Sequence, residues 1–262
     1  MNKKRLRPKK ELGQVLLVDP KVCDRIISAS NLQSTDTVLE IGPGEGILTR
    51  GLSVSTKEVI AVEIDHRYFE KLSQELGGRN VHLIHADFLK FDIENLPKNL
   101  IAVSNLPYYL SSPIIEKLIN YRRYFRDLYL TVQLEFGNRL AAETGTKDYG
   151  ALSCFVQYYA EVKKLFKIKN ASFRPIPKVD SCLVHLHIQP KPLYPAKNEE
   201  FLFRTIRQAF QKRRKTLTNA FAPIANREKL LPLLDSLEVN PNLRPENLTI
   251  KNFVDIANAL CE

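Results

Sequence analysis

The chain is predicted to be an α/β protein: a mostly parallel seven-stranded sheet over residues 1–189, then a small all-α domain over 190–262. Three observations carry this. Five short, branched, apolar runs recur through the first half, as strands buried on both faces require. Helical patterns lie between most of them, and that alternation gives parallel strands joined by crossovers. Beyond residue 189 the hydrophobic spacing is helical only.

Taken in order, a basic arm leads into "DPKVCDRIISASNL", where Asp19 is placed to cap a helix, Pro20 stands at its first position, and Ile26, Ile27 and Leu32 keep helical spacing. The strand candidates are TVLEI (37–41), EVIAVEI (58–64), NVHLIH (80–85), LIAVS (100–104) and DLYLTV (127–132), separated by the helical GILTRGLS, HRYFEKLSQEL and SPIIEKLINYRRY. Two later runs, EVKKLFKI (161–168) and SCLVHLHI (181–188), have no long helix between them and are expected to extend the sheet antiparallel. "QPKPLYPAKNEE", with Pro190, Pro192 and Pro195, reads as a linker. Three helical segments close the chain, the last with Thr249 capping a run of Phe253, Ile256, Ala257 and Leu260.

A hydrophobic fraction of 44% with 26% charged residues suits a globular protein. No run approaches the roughly 18 apolar residues of a spanning helix, and no apolar stretch follows the basic N-terminus, so neither a membrane protein nor a secreted one is expected. Cys23, Cys154, Cys182 and Cys261 are scattered without a C-x-x-C pair, which argues against structural zinc and for free thiols in a cytoplasmic setting; no metal is expected.

Charge is more informative. Thirty-nine Lys and Arg against 29 acids give a formal charge of +10, a field that attracts polyanions. The excess is clustered in NKKRLRPKK near the start, YRRYFR (121–126), KKLFKIK (163–169) and QKRRK (211–215), a pattern that points to nucleic acid. Arg122, Arg123, Lys212, Arg213, Arg214 and Lys215 are the candidate RNA contacts.

"VLEIGPGEG" (38–46) sets Gly42, Gly44 and Gly46 between a strand and a helix, where backbone closely approaches a nucleotide ligand. The spacing is G-x-G-x-G with Glu40 two residues ahead, which differs from the G-x-G-x-x-G of dinucleotide folds and looks like motif I of class I S-adenosylmethionine methyltransferases. The second strand ends with Glu63, about twenty residues on, where an acid can chelate two ribose hydroxyls. The third is followed by Asp87, able to accept from an adenine amino group, and by Phe88 against the ring. These acids stand at successive strand ends, on the edge where such sheets bind ligands.

The fourth strand runs into Asn105-Leu106-Pro107-Tyr108 on that same edge. The tetrapeptide resembles motif IV of amino-group methyltransferases, N/D-P-P-Y/F. With KKELGQVLLVD, KDYGALSCFVQYYAEV, FRPIPKVDS, AFQKRRKTL and NLRPENLTIKNFVDIANAL, the chain resembles the ribosomal RNA small-subunit adenine N6-dimethyltransferase family over nearly its whole length. Macrolide-resistance 23S rRNA adenine methyltransferases share motifs I and IV, and related mitochondrial transcription factors suggest a non-catalytic nucleic-acid-binding alternative.

The resemblance implies a class I, Rossmann-like methyltransferase fold with a C-terminal helical RNA-binding domain, acting as a cytoplasmic monomer. It implies S-adenosyl-L-methionine as cofactor, and small-subunit rRNA or a pre-30S subunit as partner. Two adjacent adenosines in the 3′-terminal hairpin loop would each receive two methyl groups. Val15, Leu17, Gly42, Gly44, Glu63, Asp87, Phe88 and Asn105 become cofactor contacts. The chemistry expected is positioning: the Asn105 side-chain oxygen and the Pro107 carbonyl accept the N6 hydrogens, while Tyr108 and Phe173 stack on the base. One departure stands out. The family reads F-G-Q-N/H-F-L where this chain reads Leu12-Gly13-Gln14-Val15-Leu16-Leu17, so Val15 is expected to weaken cofactor binding by about 0.5–1.5 kcal/mol, one hydrogen bond. Gly137, inside the helical LEFGNRL, has no functional reading.

Overall fold

The computed structural model describes residues 6, 8, 9 and 13–261. Most of the basic arm, together with Leu12, lies outside the described residues. The elements follow as β1 (Leu16–Leu17), α1 (Pro20–Ala29), β2 (Thr37–Ile41), α2 (Ile47–Ser55), β3 (Glu58–Glu63), α3 (His66–Leu76), β4 (Val81–His85), β5 (Leu100–Asn105), α4 (Ser111–Asn120), β6 (Phe125–Gln133), α5 (Leu134–Leu140), α6 (Ala151–Tyr159), β7 (Ala160–Ile168), β8 (Phe173–Arg174), β9 (Ser181–Ile188), α7 (Glu199–Gln211), α8 (Leu217–Ala220), α9 (Arg227–Ser236) and α10 (Ile250–Leu260). The expected caps form. Asp19 accepts from the Lys21 N–H before α1, and Thr249 and Asn252 cap α10 reciprocally.

Seven strands pair in the order β4-β3-β2-β5-β6-β9-β7. The first five are parallel, and β9 runs antiparallel to β6, with Asp127 opposite His187 and Gln133 opposite Ser181. The mostly parallel sheet and its helices form the Rossmann-like fold expected from the sequence. Val38, Leu39, Ala102 and Val103 on the central strands are fully buried, which explains runs without polar alternation. Sheet order places the carboxyl ends of β2, β3, β4 and β5 side by side, so everything that follows those strands converges on one edge. A separate two-stranded ladder joins β1 to β8, bringing Leu17 opposite Phe173.

The chain divides into two units: the described residues through Gly137 with Lys163–Ile188, and Asn138–Val162 with the described residues from Gln189 onward. Residues 138–162, assigned from sequence to the sheet domain, belong instead to the helical unit. Phe155, Tyr158 and Tyr159 of α6 pack on Phe203 of α7 at ring separations of 5.2, 5.4 and 5.8 Å, and the Tyr159 hydroxyl donates to Glu199 at 2.6 Å. Such an aromatic cluster outweighs chain proximity. In the sheet unit, Gly137 acquires a reason: it is the middle residue of α5, and a Cβ there would stand 2.2 Å from Cys182 Sγ, so glycine lets the helix lie close against β9. Among the described residues no helix is long and apolar enough to cross a membrane.

Candidate active site

After β2 the chain turns through Gly42, Gly44 and Gly46, all at positive φ (+67°, +56° and +78°). Around Gly42 nothing lies within 4 Å of where a Cβ would project, so backbone there is open to a ligand. The Gly44 N–H donates to Glu63 Oε2 at 2.9 Å, and the Asp65 N–H donates to Oε1 at 2.8 Å. Glu63 is thus buried at the end of β3 with each oxygen held by one backbone donor and a further lone pair on each. Burial pushes its carboxyl upward, while those N–H bonds oppose the shift. Glu40 is buried beside the same cleft. Its Oε2 has no partner, and burial first, with the neighbouring Glu63 charge adding, pushes its pKa up to about 8.

Asp87 follows β4 and caps its own turn, Oδ1 accepting from the Leu89 N–H at 2.9 Å. Phe88 is buried, so its ring supports the turn instead of offering an open face. Sequence reading missed the residue that fixes this turn. Lys117 of α4 donates to the carbonyls of Phe88, Leu89 and Phe91 at 2.9, 3.0 and 2.5 Å, and its ammonium lies 5.3 Å from the Phe88 ring centre. Desolvation lowers its pKa. A lysine at helical spacing from apolar residues looks solvated in sequence; only the tertiary fold brings three carbonyls to it.

The segment before α1 laces these strand ends together. Gly13, at φ +54°, lies so close under the Tyr109 ring that a Cβ would approach Cδ1 to 2.3 Å. Gln14 Nε2 donates to Asp65 at 3.0 Å, and the Val15 carbonyl accepts from Asn105 Nδ2 at 2.8 Å. Leu16 crosses Gly44, and Leu17 is buried in β1. Val15 therefore serves through its backbone, which no substitution of the side chain removes, while the side chain packs on the core.

Asn105 ends β5 with its amide turned so that Nδ2 is spent on Val15 and Oδ1 is buried without any hydrogen-bond partner. A buried acceptor left unpaired costs free energy unless a ligand supplies the donor. Tyr108 is half-buried, its hydroxyl 2.7 Å from Ser181 Oγ, which ties motif IV to the last residue of FRPIPKVDS. Two expectations change here. The Pro107 carbonyl already accepts from the Leu110 N–H at 3.0 Å and the Ser111 hydroxyl at 3.2 Å, so its lone pairs are used within the turn. The Leu106 carbonyl, which accepts from none of the described residues, is the acceptor left on this tetrapeptide. Phe173 is wholly buried among core side chains through the β1–β8 ladder and presents no face to a base. The exposed aromatic of the motif is Tyr109, 55% accessible.

The basic candidates separate. Arg122 and Arg123 precede β6, at the amino ends of the parallel strands, about nine residues or roughly 30 Å of strand from the carboxyl edge. Arg123 is paired with Glu94 at 2.7 Å, and Arg122 donates to the Ile119 carbonyl at 3.4 Å. These two do not stand at the site. In the helical unit Arg213 is clasped by the carbonyls of Thr146 and Lys147 and lies 3.9 Å from Glu246, a structural tie, whereas Lys212, Arg214 and Lys215 are exposed around one concavity.

A ribosomal RNA adenine dimethylase family model matches residues 5–262. The chain belongs to the ribosomal RNA adenine dimethylase family. Its members use S-adenosylmethionine to dimethylate rRNA adenine. A curated relative from Moorella thermoacetica, named ribosomal RNA small subunit methyltransferase A, is 38% identical and covers 99% of this chain and 95% of its own. Among solved structures, a dimethyladenosine transferase from Plasmodium falciparum aligns with TM-score 0.81 at 30% identity over 92% of this chain and 95% of that one. The 23S rRNA methyltransferase ErmE aligns with TM-score 0.76 at 25% identity over 94% and 100%.

Proposed function

We propose that this rRNA adenine dimethyltransferase acts on the small subunit, placing two methyl groups on N6 of each of two adjacent adenosines in the 3′-terminal hairpin loop. It would act as a cytoplasmic monomer on rRNA within a partly assembled particle. The observation that carries the chemistry is the buried, unpaired Asn105 Oδ1 at the carboxyl edge. The small-subunit choice is supported by the 38% identity to a relative of that name over 99% of the chain.

The cofactor's place fits the residues present: open backbone at Gly42, a carboxylate at Glu63 with spare lone pairs, and an acid at Asp87. Glu63 would hold the ribose hydroxyls, Asp87 the adenine amino group, and Leu17 an apolar wall. When bound, the cofactor supplies a sulfonium-activated methyl group whose C–S electron pair returns to sulfur. Adenine N6 is a poor nucleophile because its lone pair is delocalised into the ring. Asn105 Oδ1 and the Leu106 carbonyl would accept its hydrogens, favour pyramidal nitrogen and stabilise the positive charge that develops as the N–C bond forms. The resulting ammonium is acidic and loses its proton to water, so no His or Lys is required. Tyr108, fixed by Ser181, would stack on the base, worth about 1–3 kcal/mol. Lys212, Arg214 and Lys215 would contact rRNA phosphates.

Labelled methyl transfer to unmethylated small subunits and, in parallel, to unmethylated large subunits, followed by nucleoside analysis, tests the reading. N6,N6-dimethyladenosine in small-subunit rRNA is expected. Label confined to large-subunit rRNA would move the substrate to the 23S branch.

A further inference from the structure

The sheet has a second cluster of chemistry-bearing side chains, and the methyl-transfer site uses none of it. Asp127, near the start of β6, lies on the same sheet face as Tyr129. Across the ladder, their β9 partners are His187 and His185. His185 Nε2 and His187 Nδ1 both lie on one carboxylate oxygen, Asp127 Oδ1, at 2.7 and 2.8 Å. The three potential ligand atoms are all within 4.8 Å of one another. We propose that Asp127, His185 and His187 form a binding site for a borderline divalent cation, zinc(II) by preference, at the end of the sheet remote from the methyl-transfer site.

The ligand set and its support both favour this. Two imidazole nitrogens and one carboxylate oxygen suit zinc and its neighbours in the first transition row, whereas calcium and magnesium prefer oxygen alone. Around zinc at roughly 2.0–2.2 Å, tetrahedral ligands stand roughly 3.4 Å apart, so each nitrogen would draw back from Oδ1 by about 0.7 Å and the two nitrogens, within 4.8 Å of each other, would close by at most about 1.4 Å, adjustments within reach of side-chain torsions. The ligands are pre-positioned. His185 is stacked flat on Tyr129 at 4.3 Å, and Asp127 Oδ2 is held by Arg126 Nε at 3.0 Å, itself anchored on Asp36. Those contacts leave Oδ1 as the ligand atom, the kind of outer support metal-binding carboxylates need. His187 is half-exposed, which gives a cation and its remaining water ligands a path in. Asp127 stands four strand positions before Thr131, the partner of Asn105, roughly 13 Å away along β6, so occupancy would clip β6 to β9 without entering the catalytic cleft. Cysteine spacing argues against structural zinc and the sequence leads to no metal being expected; histidines two apart on one strand, with an acid on its neighbour, leave no contiguous motif.

The test uses untagged, metal-stripped protein titrated with zinc(II) by calorimetry and with cobalt(II) by visible absorption. One equivalent is expected, with a cobalt ligand-field band, and saturating zinc should raise the melting temperature by roughly 5–10 °C at a hundredfold excess over Kd. His187→Ala, at a half-exposed position, and Asp127→Asn, which keeps the side-chain shape, should each weaken binding at least tenfold, with folding checked by circular dichroism. His66→Ala should bind as the parent does. Absence of stoichiometric binding, or equal binding by the parent, His187→Ala and Asp127→Asn, would overturn the proposal; in the latter case the cation sits elsewhere, as at the His66–His85 ring pair.

Discussion

At the carboxyl ends of β2 and β5, Glu40 Oε2 and Asn105 Oδ1 are buried without partners, whereas at the amino end of β6 Asp127 is met by His185, His187 and Arg126. Both ends belong to one rigid sheet and both carry buried acids, so fold alone does not explain the contrast. The paired end is stable as it stands, and a cation would exchange one full set of contacts for another. The unpaired end leaves polar atoms without protein partners, and at Asn105 Oδ1 the proposed reading has the adenine amino group supply the missing donor. Net charge marks neither end.

The comparison can be broken most forcefully at Asn105. Asn105→Ala is expected to lower methyl transfer by about 10²–10³, by analogy with loss of a single transition-state hydrogen bond, while cofactor binding stays measurable. Single-turnover kinetics beside equilibrium binding separate the two.

Glu40 tests the energetic side. Its folded pKa of about 8 lies above the ordinary value of 4.5, so the native state keeps a proton that the unfolded chain releases across that window. Stability of the cofactor-free protein should therefore fall as pH rises from about 4.5 to 8, by at most about 1.4 kcal/mol per unit from this group. Melting curves of Glu40→Gln should lose that part of the slope.

Lys117→Met should raise the KM for cofactor several-fold while kcat stays within about twofold, because it loosens the turn carrying Asp87 and leaves the acceptors at Asn105 in place. A fall in kcat at unchanged KM would show that the clamp acts on the chemical step instead. The smallest effect belongs to Arg123→Ala at the paired end: its ion pair with Glu94 is exposed and screened, so melting temperature, rRNA affinity and its salt dependence should all stay unchanged.

Much of the carboxyl edge was legible because its signals are local. Glycines after a strand, acids at strand ends and caps such as Asp19 and Thr249 depend on near neighbours in sequence. What escaped depends on tertiary pairing. Phe173 sits in a short apolar-and-proline segment whose sequence does not distinguish an exposed ring from a core one; the β1–β8 ladder decides it. Pro107 was misassigned because its carbonyl is taken by Leu110 and Ser111 in a tight turn, a detail of hydrogen bonding that composition does not encode. Lys117 and the Asp127 cluster are assembled from residues tens of positions apart, and α6 joins the helical unit through aromatic contacts that only the folded chain makes.

The account turns on Asn105 Oδ1 accepting from adenine N6, and a double-mutant cycle reads that contact directly. Affinities of the parent and of Asn105→Ala would be measured for target RNA carrying either adenosine or purine riboside, which lacks the amino group, at the methylated position. The parent should prefer adenosine by several-fold, the worth of one hydrogen bond, and Asn105→Ala should abolish the preference. A preference that persists undiminished in Asn105→Ala would contradict the account.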